Sequence, residues 1–143
     1  MTDQEPLVVL VTGAGKGAGR VAAEAFAAQG DRVAMNDIAP NNMEAVQESW
    51  SGRGYQVRTH VMDVSHKLAA QALVNQVLEE WGHIDVLINH ALVEPAAPLL
   101  EMDEWDWRRT LDVNLTGAFL MIQSAGRVMC DQGHGVILNL MSL

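Results

Sequence analysis

Four glycines fall within seven residues in the run Thr12-Gly13-Ala14-Gly15-Lys16-Gly17-Ala18-Gly19. An apolar segment, residues 7–11 (LVVLV), precedes the run, and an alanine-rich stretch, residues 17–29, follows it. Glycine permits positive φ in a tight turn and lets backbone N–H groups approach an anion with no Cβ in the way. A helix beginning there points its partial positive charge at the same anion. Strand, glycine turn and helix in that order are what a loop cradling a pyrophosphate requires. A flexible surface turn is the plainer alternative for the glycines alone.

An acid at the right distance decides between the two. Asp37 stands eighteen residues beyond Gly19, at the end of a second β-branched run and beside Ile38. A carboxylate there accepts hydrogen bonds from adenosine ribose hydroxyls and repels a 2′-phosphate, so NAD is expected over NADP. Lys16 is a cation that could reach a phosphate, and a solvated side chain is its plainer reading.

Short strand-like runs alternate with longer helical patterns, the signature of βαβ units and a parallel sheet in an α/β fold. Strands are expected at 7–11, 32–36, 56–62, 84–89 and 136–140, three of them apolar almost throughout, as strands covered on both faces should be. Helices are expected at 17–29, stopped by Gly30, at 42–50, and from an N-cap at Ser65 to Trp81, stopped by Gly82. The last, 103–130, is long. Its stripe Leu111, Leu115, Ala118, Ile122, Ala125 and Met129 is expected to face the sheet. A second stripe, Val113, Gly117, Leu120, Ser124 and Val128, is expected to meet a packing partner.

The 143 residues, 49% hydrophobic and 19% charged, suit one domain with a true core, residues 1–143. Eighteen acids against nine bases, net charge −9, with no Lys/Arg cluster, argue against nucleic acid. No stretch approaches a membrane span, and the segment 1–6 carries acids where a secretory leader has bases, so a cytoplasmic protein is expected. Cys130, the single cysteine, is expected to be a buried or half-buried thiol. His60, His66, His83, His90 and His134 share no metal-ligand spacing, and no metal is expected. Trp105 and Trp107, two apart on a helix, must point in different directions, one expected inward and the other onto a cleft or contact.

Taken together, Thr12-Gly13-x-x-x-Gly17-x-Gly19, Asp63-Val64 after the third strand, Asn89-His90-Ala91-Leu92 after the fourth, Asn114 in the long helix and Ser142 after the fifth resemble the short-chain dehydrogenase/reductase family. The resemblance runs through nearly the whole chain. It implies a Rossmann-like doubly wound parallel sheet of about five strands in the order 3-2-1-4-5, helices on both faces, truncated relative to the family. It also implies hydride transfer between a nicotinamide and the carbon of a small-molecule carbonyl or secondary alcohol. Thr12, Gly13, Gly15, Lys16, Gly17, Ala18, Gly19, Asp37, Ile38, Asp63, Val64, Asn89, His90 and Ala91 would then bind the cofactor. Asp63 would take the adenine amino group and Val64 the base. Asn114 would hold a relay water, and Ser142 would polarise the substrate oxygen. A homo-oligomer through the helix 103–130 is expected.

Two features depart from the family. His90 and Leu92 stand where asparagine and glycine are usual, so a side chain enters a place of close cofactor approach and a titratable ring replaces an amide. The family's acid/base pair is a tyrosine four residues before a lysine. Here Tyr55 is followed at the fourth position by Thr59, and the two lysines are Lys16 and Lys67. The 143-residue chain is therefore expected to be nearly inactive by itself, since acid/base help contributes roughly 10² to 10⁴ in rate. A non-enzymatic NAD-binding module or sensor is the alternative.

Overall fold

The computed structural model of the protein describes residues 5–141. Five strands, β1 (Val8–Thr12), β2 (Arg32–Asp37), β3 (Gln56–Val61), β4 (Val86–Asn89) and β5 (Val136–Asn139), form one parallel sheet in the order β3-β2-β1-β4-β5. Between them run α1 (Gly17–Ala28), α2 (Pro40–Trp50), α3 (Lys67–Trp81), α4 (Glu104–Thr110) and α5 (Ala118–Gln132), the last two joined by a π-helical turn, Leu111–Gly117.

Alternation along the strands splits the core in two. Val8 and Leu10 of β1 and Leu87 of β4 face α3 and α5, where they meet Leu73, Val77, Met121 and Ala125. Val9 and Val11, with Val86 and Ile88, face α1 and α2, where they meet Ala23, Ala27, Met43 and Val46. Every residue of β1 and β4 is buried, because each lies between two strands and two helix layers. At roughly 1.5–3 kcal/mol for each large side chain taken from water, this central ladder supplies most of what fixes the strand ends.

Helix boundaries follow local chemistry. Gly30 takes φ +95° just past α1, and Gly82 closes α3 at φ +81°, as their sequence positions predict. Helix α2 starts two residues before the expected Asn42, with Pro40 in its first turn, where a missing N–H costs nothing. Ser65 does not cap α3. His66 holds the N-cap position without a side-chain bond, and the Ser65 hydroxyl donates instead to Asp63 Oδ1 at 2.6 Å.

The long helix departs most from expectation. Val113 and Gly117 are buried, as are Leu120 and Met121, whereas Leu111, Leu115 and Ile122 of the stripe expected to face the sheet are exposed. Only Ala125 and Met129 of that stripe lie in the core. The π turn is the cause. A π turn takes more residues than an α turn, so apolar positions before it rotate relative to those after it, and one 3.6-residue stripe cannot describe both. The stripe expected to meet a partner is thus core-facing over its first half. Cys130 is exposed rather than buried, and Trp105 and Trp107 are both exposed.

Two leucines of the same helix test this assignment. Leu120→Ala should destabilise the fold by about 2–5 kcal/mol in urea unfolding, and Leu115→Ala, 67% exposed, by less than about 0.5 kcal/mol. The reverse ranking would contradict the observed face.

Candidate cofactor site

The chain leaves β1 toward β2 and β3 and returns to the opposite side for β4, so a crevice opens where the order reverses, at the carboxyl ends of β1 and β4. Most of the residues singled out for a cofactor lie around it. Thr12 ends β1, and its Oγ1 accepts the backbone N–H groups of His90 (3.1 Å) and Ala91 (3.2 Å) from the loop after β4. Gly13 follows at φ +62°, where a Cβ would lie 2.7 Å from both His90 O and Ala91 N. At Gly19, inside α1, a Cβ would stand 2.5 Å from Gly13 O and 2.7 Å from His90 Nδ1. These glycines are required by the close contact around the two loops.

His90 closes the same junction. Its Nδ1 lies 3.1 Å from Gly13 O, and because a carbonyl only accepts, the ring donates from Nδ1 and keeps Nε2 unprotonated in its neutral form. Lys16 is exposed at the N-cap of α1 and makes no side-chain cap bond. The first-turn N–H groups of α1 have no intrahelical acceptor, and Lys16, Gly17 and Ala18 line the cleft that His90 and Leu92 border from the other side.

Asp37 lies at the end of β2, only 7% exposed. Its Oδ2 accepts from Gly15 N at 3.0 Å, and its Oδ1 accepts from Ala39 N at 2.9 Å and Asn42 Nδ2 at 3.3 Å. A fixed negative charge thus sits directly beneath the glycine turn. Asn36, paired with Thr12 across the sheet, donates from Nδ2 to His60 O and Met62 O and ties β2 to the end of β3.

Gly13, Asp37, Ile38, Asp63, Val64 and Arg109 line a slot running from the glycine turn toward α4. Asp63 Oδ1 accepts from Ser65 N (3.0 Å) and Ser65 Oγ (2.6 Å), and its Oδ2 lies 3.1 Å from Arg109 Nη1. Burial alone would raise the Asp63 carboxyl, but the Ser65 hydroxyl and amide and the Arg109 guanidinium outweigh it and hold it below the usual carboxylate range.

A second cleft of about 480 Å³ lies between β4, β5 and the π turn, lined by Asn89, Leu92, Asn114, Leu115, Phe119 and Asn139 among others. Asn114 sits in the π turn, and its amide pairs twice with one residue, Oδ1 accepting from Val93 N (2.8 Å) and Nδ2 donating to Val93 O (2.9 Å). Asn114 and Gly117, both poor helix-interior residues, fall in this irregular turn. Asn89 Nδ2 donates to Asn139 Oδ1 at 2.9 Å, and its buried Oδ1 has no partner among the described residues. Leu92 lines the cleft wall. Ser142 lies outside the described residues. Sequence reasoning missed Arg109 and Asn42. Arg109 is 46 residues from Asp63, and no local pattern links the two. Among the described residues no group of three His, Cys, Asp or Glu side chains is placed to hold a metal, and no helix is long and apolar enough to cross a membrane.

Residues 7–143 match the family model of the short chain dehydrogenases. The chain belongs to that family. It is 39% identical over 135 residues to D-threitol dehydrogenase of Mycolicibacterium smegmatis, covering 94% of this chain and 52% of that protein. Among solved structures, NAD+-bound xylitol dehydrogenase superposes with a TM-score of 0.87 at 34% identity, covering 93% of this chain and 52% of the other. A metagenomic short-chain oxidoreductase in complex with NADP gives a TM-score of 0.88 at 31% identity, covering 96% and 62%. The chain spans about half the length of the curated relatives it matches.

The Thr12 junction has a direct test. Thr12→Val keeps shape and removes the acceptor of two backbone N–H groups, so it should cost about 1–3 kcal/mol of stability in urea unfolding. An unchanged midpoint would show that the two loops are held otherwise.

Proposed function

We propose that this chain is the cofactor-binding half of an NAD-dependent oxidoreductase acting on a carbonyl or secondary alcohol. The observation that carries the proposal is the buried Asp37 carboxylate beneath the glycine turn, at the mouth of the crevice. The residues present fit an adenine dinucleotide. The turn is a cradle in which a Cβ at Gly13 or Gly19 would collide with the opposite loop, and the α1 N-terminus offers unpaired amides to a pyrophosphate. Asp37 accepts ribose hydroxyls and sets its charge against a 2′-phosphate. Ile38, Asp63 and Val64 line the adenine end, and Asn89, His90 and Ala91 form the wall toward the second cleft.

When bound, the nicotinamide supplies or accepts the hydride. The chain's own residues orient and shape. Asn114 fixes the loop after β4 through Val93, and the π turn takes its main chain off the α-helical ladder, which suits the relay-water role the family resemblance implies. Ser142 is the candidate for polarising the substrate oxygen. The apolar walls Leu92, Leu115 and Phe119 would contact the carbon skeleton of a substrate.

Isothermal titration of the chain with NAD and NADP tests the reading. NAD should bind roughly tenfold or more tightly than NADP, a difference of about 1.4 kcal/mol, and Asp37→Ala should narrow the gap by weakening NAD and relieving NADP. Equal or tighter binding of NADP by the unaltered chain would overturn the assignment of Asp37.

A further inference from the structure

Arg109 belongs to α4, outside the glycine turn and the strand ends, yet it reaches the slot between β2 and β3. Its Nη1 lies 3.1 Å from Asp63 Oδ2 and donates to Ser65 Oγ at 3.2 Å, with Arg109 and Asp63 side chains about one-quarter exposed. The contrast with its neighbour is informative. Arg108 pairs with Glu104 one helical turn back, at 2.7 Å, with both side chains about three-quarters exposed, the arrangement of a solvated surface pair. Arg109 instead crosses between elements to a carboxylate already holding two donors from Ser65. Together these contacts fix the Asp63-Val64-Ser65 turn, which forms one wall of the slot, against α4.

We propose, resting on the reading of the crevice as a dinucleotide site, that Arg109 is the positioning residue of the adenine subsite, holding Asp63 oriented and Val64 against the base. Asp63 Oδ2 faces Arg109 from α4 and, at 3.5 Å, the His66 ring ahead of α3, and Asp37 of β2 lines the far side of the same slot. Arg109 is the permanent cation among these groups. Removing it leaves Asp63 with Ser65 and the His66 ring, which carries a charge only when protonated. The carboxylate then protonates at a higher pH than in the unaltered chain, and acceptor strength is lost in that window. Because the folded Asp63 carboxyl is held low, the stability it contributes is present above the usual carboxylate range and is lost as pH falls through its own titration. Arg109→Gln moves that loss upward.

The experiment uses the 143-residue chain with three probes, NAD, AMP and nicotinamide mononucleotide, and follows the Asp63 carboxyl by NMR across acid pH. Arg109→Gln should weaken NAD and AMP roughly tenfold at neutral pH and leave nicotinamide mononucleotide unchanged. It should also raise both the Asp63 titration and the pH at which NAD affinity falls. Arg109→Lys, which keeps a cation but not the fork, should recover part of each effect and serves the same comparison should Arg109→Gln not fold. Unchanged NAD and AMP affinity with an unmoved Asp63 titration would overturn the role of Arg109 while leaving the dinucleotide site standing. No binding of NAD or AMP by the unaltered chain would overturn both.

Discussion

The shape of the crevice depends on one junction, the hydroxyl of Thr12 accepting two amides from the loop that leaves β4. Adjacent parallel strands end side by side, and their following loops would otherwise diverge toward opposite helix layers. Thr12 Oγ1, the Gly13 turn and the His90 ring hold those loops in van der Waals contact, leaving no space for a Cβ at Gly13 or Gly19. The glycine turn is thereby shaped before any ligand arrives, and the entropy of ordering it is not charged to binding.

Charge at the crevice is arranged on the same scaffold. Asp37 and Asp63 sit at the ends of neighbouring strands β2 and β3, yet their surroundings differ. Asp37 is held by neutral donors, Gly15 N, Ala39 N and Asn42 Nδ2, and has no cationic partner among the described residues. Asp63 is matched by a guanidinium and belongs to a paired, structural slot. A carboxylate left without a cationic partner discriminates against anions by repulsion. One that is compensated can receive a neutral base without that penalty.

How much of this could be read from the sequence depends on the range of the interaction. The five strands were legible because alternation and apolar runs are local, and the helix stops at Gly30 and Gly82 because positive φ is a local demand; the order of the strands is a non-local property and came only with the family resemblance. The glycine turn and Asp37 were legible as a fixed spacing. The facing of the long helix was not, since both stripes are apolar and the π turn at Leu111–Gly117 shifts the phase between them. Ser65 reads as a cap from its neighbours alone, whereas its hydroxyl is drawn to Asp63. Arg109 was illegible for the same reason. Its partner is brought by the packing of α4 on the β3 end, and nothing near Arg109 in sequence announces it.

In the function proposed above, the carboxyl ends of β1, β2 and β4 form one preshaped dinucleotide crevice. Backbone amide chemical-shift mapping of the chain on addition of NAD tests it most directly. The account predicts the largest changes at Gly15 through Gly19, at Ile38, at Val64 and at Ala91, with the amino ends of the strands, such as Arg32 and Val86, unmoved. Changes centred elsewhere, or none at saturating NAD, would contradict it.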